Sequence, residues 1–400
     1  MSQNSFYSSA RRGNQPYHRA QRNQAPKRFG AYINPAKFVN KAAIVADQPV
    51  FVPVHTFSDF ALSEALQRNV AKRGYETPTP IQDQTIPAIL EGRDVIGLAN
   101  TGTGKTAAFV LPIIEHLHTR ERSEGVLIVA PTRELAVQID EEFRAFAAGL
   151  QIYSALCVGG ANMHRQISTL MRKPQVVIGT PGRLKDLFNQ GALHLSNSRT
   201  VVLDEADRML DMGFIKDIHF LIGKLPAKRQ SLCFSATMNP DMERLVRELL
   251  IDPVRVSVRT TETSDHVEQN VIQASSKEHK IEILHGLLQK PDFAKVLIFG
   301  QTKRGVQKLS EALKTHGHSS EAIHGNKSQS QRQRALQAFK LGQVKVLVAT
   351  DVAARGLDIP RVSHVINFDQ PNTYEDYIHR IGRTGRAGYQ GQALTFISPE

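Results

Sequence analysis

The sequence predicts an α/β chain of two tandem domains, each a mostly parallel sheet flanked by helices, with a cleft between them and a disordered basic tail in front. Three observations predict it. Short runs of Val, Ile and Leu recur along the chain, each stopping abruptly at small or polar residues and often followed by a helix-like stretch. These runs do not alternate, which fits strands buried on both faces and hence parallel sheet covered by helices. A polar, Thr-rich stretch at 252–270 without helical periodicity divides the runs into two groups.

In chain order, the first group is "DVIGLANTGTGKT", "VLIVAPTREL", "QVVIGTPGR", "TVVLDEAD" and "SLCFSAT". The second is "KVLIFGQTKRG", "VKVLVATDVAARG" and "HVINFDQP". The expected boundaries are a tail over 1–50, a first domain over 51–254, a linker over 255–265 and a second domain over 266–400. "VIGLANTGTGKTAAF" and "VLIFGQTKRGVQKL" share a strand–loop–helix pattern, as expected of a duplicated domain whose second copy has lost its Gly-Lys-Thr. Parallel sheets bind ligands beyond the carboxyl ends of their strands, and the polar clusters fall there.

Composition narrows the function. The 400 residues are 41% hydrophobic and 22% charged, globular values. At ~100–200 residues per domain, the length allows two or three domains. The net charge of +12 points to a polyanionic partner. A membrane is the weaker choice, because no apolar run approaches the roughly 20 residues of a spanning helix. The first residues lack the apolar core of a secretory signal, so a cytoplasmic protein is expected. Cys157 and Cys233 each sit inside an apolar stretch and read as reduced core thiols, and no ligand cluster has zinc spacing. Within 1–50, eight Lys and Arg stand against Asp47 alone, a balance of +7, among Asn, Gln, Ser and scattered aromatics. That is the composition of a disordered tail able to hold nucleic acid through phosphates and stacking.

The chemistry concentrates in two motifs. "ANTGTGKT" (Ala99–Thr106) follows a strand and opens a helix, the context of a phosphate loop, although Ala99 replaces the usual first glycine. Gly102 and Gly104 let backbone N–H groups turn toward phosphate oxygens, Lys105 reaches the β/γ-phosphates, and the Thr106 hydroxyl ligates Mg²⁺. "VVLDEADRML" ends a strand in Asp204, Glu205 and Asp207, and carboxylates this close need a compensating cation or a chemical task. Beside a phosphate loop, Asp204 is placed to hold Mg²⁺ through water and Glu205 to deprotonate an attacking water. "GYETPTPIQ" adds Tyr75, able to stack on a purine, and Gln82, whose amide matches adenine N6/N7.

From Phe57 onward these residues resemble the DEAD-box ATP-dependent RNA helicases of helicase superfamily 2, with "DEAD" itself at Asp204–Asp207. The resemblance implies two tandem RecA-like domains, ATP and Mg²⁺ as cofactors, and RNA as partner. It implies nucleotide contacts at Phe57, Tyr75, Gln82, Ala99, Asn100, Thr101, Gly102, Thr103, Gly104, Lys105, Thr106 and Asp358, with Asn100 standing where Gln is more usual. "PTREL" (Pro131, Thr132, Arg133), Gly159, Gly160, Thr180 and Arg183 resemble the first-domain RNA contacts. Gln329, Arg332 and Thr350 resemble those of the second domain, although the Asn-Lys-Ser before Gln329 is atypical. "SAT", with Ser235 and Thr237, resembles the motif that couples nucleotide state to RNA, through Asp207. Arg383 and Arg386 match arginine fingers that reach the γ-phosphate. The family also implies at least one further helix after "ALTFISPE".

Other readings remain at this point. An ATP-gated RNA clamp uses the same residues, and DNA differs from RNA to such a site only through the 2′-OH. A small-molecule kinase explains the phosphate loop but leaves Arg383, Arg386, "PTREL" and the basic tail without a task.

Overall fold

The computed structural model describes Asn34 and residues 38–40, 51–100, 102–119, 124–258, 267–354, 359, 361–385 and 390–398. The first lobe opens with α1 (Glu64–Lys72), α2 (Pro80–Leu90), β1 (Val95–Leu98) and α3 (Lys105–Thr119). Then come β2 (Gly125–Val129), α4 (Arg133–Phe146), β3 (Ser154–Cys157), α5 (Met163–Leu170), β4 (Val176–Gly179) and α6 (Pro181–Asn189). β5 (Ser198–Leu203), α7 (Ala206–Asp211), α8 (Ile215–Ile222), β6 (Gln230–Ser235), α9 (Pro240–Leu249) and β7 (Val254–Ser257) complete it.

These strands form one parallel sheet in the order β3-β4-β2-β5-β6-β1-β7. The missing alternation has its expected cause. Val126 and Ile128 of β2 pack on one face with Phe109 and Phe143, while Leu127 and Val129 pack on the other with Leu184 and Leu245. The order also decides where the chemistry can be. β1, β6 and β5 are neighbours, so the phosphate loop, "SAT" and "DEAD" emerge side by side at one sheet edge. β2, β4 and β3 carry "PTREL", "TPGR" and the Gly pair to the other half of that edge.

The second lobe contains β8 (Val267–Gln273), α10 (Lys277–Leu288), β9 (Val296–Phe299), α11 (Lys303–Thr315), β10 (Ser320–Ile323) and α12 (Gln329–Lys340). β11 (Val346–Ala349), α13 (Asp351–Ala354), β12 (His364–Asn367), α14 (Tyr374–Ile381) and β13 (Gly391–Ile397) follow. Its sheet is again parallel, in the order β10-β11-β9-β12-β13-β8, with apolar cores on both faces.

Two boundaries differ from the sequence reading. Residues 255–257, expected in the linker, belong to β7, which pairs with β1. Val256 is buried while Arg255 and Ser257 are exposed, a half-buried edge strand that reads as polar sequence. Val258 follows it, its N–H donating to Leu98 O at 2.9 Å, and residues 259–265, the rest of the expected linker, lie outside the described residues. Within the expected tail, Phe38 is fully buried against the second lobe, and Asn40 bridges to Gln269. The remaining tail positions, apart from Asn34 and Val39, lie outside the described residues.

Candidate nucleotide and nucleic-acid site

Between β1 and α3 the chain doubles back on glycine: φ is 88° at Gly102 and 91° at Gly104, in the left-handed region where side chains are strained. The Ala99 N–H donates to Ser235 O at 3.0 Å, tying the start of the loop to the end of β6. Thr103 Oγ1 donates to Asn100 O at 2.8 Å. Lys105 is buried, and its Nζ turns back to donate to Ala99 O at 2.8 Å, inside the loop rather than out to solvent. Thr106 follows it in the first turn of α3, and Thr101 lies outside the described residues.

Gln82 is fully buried and occupies the third position of α2. Its Oε1 accepts from Thr79 N at 2.9 Å and its Nε2 donates to Gly104 O at 3.1 Å, so the amide grips the phosphate loop directly. Thr79 Oγ1 is buried beside it and completes a capping box with Gln82 at the start of α2. Two left-handed glycines and a buried, inward-turned lysine together fit a phosphate group. A Cβ on Gly104 would meet Gln82 Nε2 at 2.5 Å and would also be strained by φ. Gly104→Ala is therefore expected to weaken ATP binding by about tenfold or more, roughly 1.4 kcal/mol or above, as titration with a fluorescent ATP analogue would read.

Phe57 is buried and meets Phe60 and Tyr75 edge-on, at centroid distances of 5.8 and 5.9 Å. Tyr75 also packs edge-on against Phe146, and its hydroxyl donates to Glu142 at 2.6 Å. Tyr75, half-buried, thus packs on the first-lobe core beside Phe57.

β5 delivers the carboxylates. Asp204 is 2% exposed, and burial together with the neighbouring Glu205 pushes its acid up to about 7 against the pull of Lys105. A buried carboxylate facing a lysine and a second acid is the donor chemistry that suits a hard cation. Glu205, the N-cap of α7, has φ 52° and ψ 50°, a left-handed conformation that costs a non-glycine residue about 1–3 kcal/mol. Its Oε2 accepts from Arg208 Nη1 at 2.7 Å, and both side chains are buried. Arg208, one position past "DEAD", is a site residue that the sequence reading missed; its signal is the i,i+3 spacing to Glu205.

Asp207 is the junction. Its Oδ2 accepts from Ala236 N at 3.0 Å, Thr237 N at 2.9 Å and Thr237 Oγ1 at 3.0 Å, while Oδ1 accepts from Arg208 N at 2.9 Å. Ser235 Oγ donates to Thr237 O at 2.8 Å. "DEAD" and "SAT" are therefore one hydrogen-bonded unit.

Along the other half of the edge, Thr132 caps α4 by accepting from Leu135 N at 3.2 Å, with Pro131 buried ahead of it, and Thr180 is the N-cap residue of α6. Helix starts of this kind present N–H groups that suit phosphates. The Arg133 guanidinium lies over Gly159 and Gly160; a Cβ on Gly160 would collide with it, and one on Gly159 would press against it at 3.1 Å. Arg183 Nη1 donates to Ala161 O at 3.3 Å, and its buried Nε has no partner. Burial and the nearby charges of Arg332 and Arg183 hold the Arg133 guanidinium below its usual pKa, only partly offset by Glu134.

Arg332 comes from the second lobe. Its Nη2 lies 2.9 Å from Glu134 Oε2, and Gln329 Nε2 donates to Glu134 Oε1 at 3.4 Å. The sequence reading set Gln329 and Arg332 toward RNA; here they clasp a carboxylate within "PTREL" that it passed over. Thr350, buried at the end of β11, sits next to Asp351. Asp351 holds the buried Arg380 through Nε at 2.5 Å and Nη2 at 2.7 Å. Arg380 Nη1 also donates to Asn367 Oδ1 at 3.1 Å and Asp369 O at 2.7 Å. This pair, also missed, seats α14 so that Arg383 follows at its end, buried, with Nε donating to His379 O at 3.3 Å. Asp358 and Arg386 lie outside the described residues.

A phosphate loop and buried carboxylates on one RecA-like lobe, with an arginine-bearing lobe behind it, define the class: a two-lobed phosphate-loop nucleoside triphosphatase. Comparison with known proteins agrees. Residues 79–245 match the DEAD/DEAH box helicase model, and residues 279–388 match the helicase conserved C-terminal domain. The chain is 46% identical over 344 residues to the ATP-dependent RNA helicase CshA of Limosilactobacillus reuteri, covering 86% of this chain and 69% of that one. To the DEAD-box ATP-dependent RNA helicase CshA of Geobacillus kaustophilus it is 47% identical over 347 residues, covering 86% and 74%. Among solved structures, S. cerevisiae Dbp5 bound to RNA and ADP BeF3 is similar with a TM-score of 0.76 at 30% identity, over 86% of this chain and 90% of that one. Mss116 bound to ssRNA and UDP-BeF is similar with a TM-score of 0.78 at 30% identity, over 87% and 76%. The chain belongs to the DEAD-box ATP-dependent RNA helicases.

Proposed function

We propose that this chain hydrolyses ATP in its first lobe when both lobes have closed on an RNA backbone, and that the cycle separates short duplexes or strips proteins from RNA. The observation that carries the reading is a continuous hydrogen-bonded path. Gln82 holds Gly104, Lys105 next in the chain holds Ala99, Ala99 holds Ser235, Ser235 holds Thr237, and Thr237 holds Asp207 beside the catalytic carboxylates. A change at the phosphate loop thus has a physical route to "SAT".

In this reading Lys105 binds the terminal phosphates. Glu205, its orientation set by Arg208, takes the proton of the water whose oxygen attacks the γ-phosphorus as the bond to ADP breaks. Arg383 and Arg386 approach from the second lobe and neutralise charge in the transition state, and Asp358 binds the ribose. Asp204 and Thr106 are the residues that would hold Mg²⁺, which when bound supplies neutralisation of the phosphates. Arg133, Gly159, Gly160, Thr180, Arg183 and Thr350 grip phosphates without reading bases, so little sequence preference is expected. We place the protein in the cytoplasm; among the described residues no helix is long and apolar enough to cross a membrane.

Steady-state ATP hydrolysis with no nucleic acid, with single-stranded RNA and with matched DNA tests this. RNA should stimulate by about tenfold or more and DNA far less. Hydrolysis indifferent to nucleic acid would sink the coupling.

The Asp204 environment adds a pH signature. Below about pH 7 this carboxyl carries a proton, and proton and cation compete for it. The Mg²⁺ concentration giving half-maximal turnover should therefore climb as pH falls, approaching about tenfold per unit well below 7, and level off above it. Mg²⁺ titrations at several pH values check this, with Asp204→Asn expected to lack the break.

A further inference from the structure

Between β10 and α12 the second lobe makes a turn, residues 324–328, that leads directly into Gln329 and Arg332 and so to Glu134. His324 opens that turn and is 6% exposed. Its protonation state follows from its partners. Gln307 of α11 donates through Nε2 to Glu311 Oε1 at 2.7 Å. An ionised carboxylate only accepts, so the other end of that amide, Oε1, faces His324. His324 Nε2, 3.0 Å from that oxygen, must therefore carry the hydrogen. Across the ring the Asn326 N–H donates to Nδ1 at 3.3 Å, so Nδ1 is a bare lone pair. A doubly protonated ring would set an N–H against an N–H there.

The surrounding charges favour the neutral ring. Lys303 of α11 lies across the turn: a Cβ on Gly325 would meet its Cε at 3.1 Å and its Nζ at 3.3 Å. Lys327 sits in the turn and Arg332 on α12, each with a carboxylate of its own, Glu321 of β10 at 3.8 Å and Glu134 at 2.9 Å. Burial, then Lys327, Lys303 and Arg332, hold the His324 pKa below its ordinary value. The rest of the turn is built on the same residue. Lys327 N donates to His324 O at 3.1 Å, and Ser328 caps α12 by exchanging hydrogen bonds with Gln331.

We propose that His324 is a positioning residue for the clasp between lobes: as the neutral Nε2–H tautomer it fixes the turn that seats Gln329 and Arg332 on Glu134, and gaining a proton releases that turn. Its Nδ1 holds the amide of Asn326, three residues before Gln329. The ring acts through α12 and needs no contact with RNA or ATP. The sign follows from the lowered pKa. Above the unfolded value of about 6.5 the stabilisation is complete; it is lost progressively as pH falls from there to the folded pKa. The link from clasp to RNA rests on the proposed function; the tautomer and the turn do not.

Nitrogen NMR of the His324 ring in the full, unaltered chain should show Nε2 protonated and Nδ1 bare at about pH 8. Two amide variants then separate the ends of the ring. Asn sets a carbonyl where Nδ1 stands and stays neutral, whereas Gln reaches toward Gln307 and leaves the Asn326 amide without an acceptor. His324→Gln should speed hydrogen exchange at that amide by about tenfold or more. It should also raise the RNA needed for half-maximal ATP hydrolysis by about threefold or more. His324→Asn should stay close to the unaltered chain in both. Below the pKa that NMR gives for His324, the RNA requirement of the unaltered chain should climb toward about tenfold per pH unit at saturating Mg²⁺. That of His324→Asn should climb less. A proton on Nδ1 at pH 8 overturns the proposal even where both variants unfold the lobe. Equal exchange at Asn326 in two folded variants overturns the role of Nδ1. An RNA requirement that is flat or falls through the His324 pKa overturns release by the proton. Failure of RNA to stimulate the unaltered chain would count against the proposed function, while the tautomer and the exchange at Asn326 would still decide the positioning role.

Discussion

Glu205→Gln is expected to lower RNA-stimulated ATP turnover by about 10²–10⁴-fold while leaving ATP affinity within about threefold. The amide keeps the shape and can still accept from Arg208, so the left-handed backbone at position 205 and the bond of Arg208 Nη1 should persist. What it loses is the ability to take a proton. Arg208 is itself buried, and a neutral partner leaves its charge less well matched, so a small drop in thermal stability should accompany the loss of turnover. Binding is the discriminating reading. If turnover and ATP affinity fall together, the carboxylate was holding the loop rather than working on water. If turnover is unchanged, another group is the base and the assignment of Glu205 fails. Single-turnover hydrolysis beside equilibrium binding separates these cases.

The parallel sheets were legible because burial on both faces removes the polar residue from every second position. Val126 to Val129 of β2 has no gap for water, and neither has Val346 to Ala349 of β11. β7 was not legible for the converse reason: as a half-buried edge it alternates, and in a Thr-rich stretch alternation looks like a linker. Phe38 was hidden because one aromatic in a basic, polar segment carries no period; only its distant partners on β8 and α14 give it meaning.

The site shows the same division. The residues read from the phosphate loop, "DEAD" and "SAT" lie together because adjacent strands deliver them, and strand ends are what sequence displays well. The residues that hold those in place were not visible. Arg208 fixes Glu205 locally, while Asp351 and Arg380 join α13 to α14 across the sheet edge, a pairing that no single stretch of sequence contains. Glu134 stood inside a motif already assigned to RNA, so its carboxylate was never asked what it balances.

That balance yields the second large effect. Arg133 lies within reach of the charges of Arg332, Glu134 and Arg183, and the Arg332–Glu134 pair crosses from one lobe to the other with side chains only 10% and 4% exposed. Removing one partner of a buried pair costs about 3–5 kcal/mol, because the other is left uncompensated; removing both is often nearly neutral. Since this pair forms only when the lobes meet, the penalty should fall on closure. Arg332→Ala is expected to reduce RNA-stimulated turnover at subsaturating RNA by about 100-fold. Glu134→Ala should do worse without RNA, where Arg332 loses its partner and Arg133 the acid that offsets its neighbours, and should recover as RNA phosphates replace the missing charge. The double variant should be milder than either single one. Arg332 acting directly on RNA predicts a different order: Glu134→Ala would free it and tighten RNA binding, and the double variant would be as weak as Arg332→Ala. A double-mutant cycle on the RNA dependence of ATP hydrolysis, run at two salt concentrations, distinguishes a clasp between lobes from a phosphate contact.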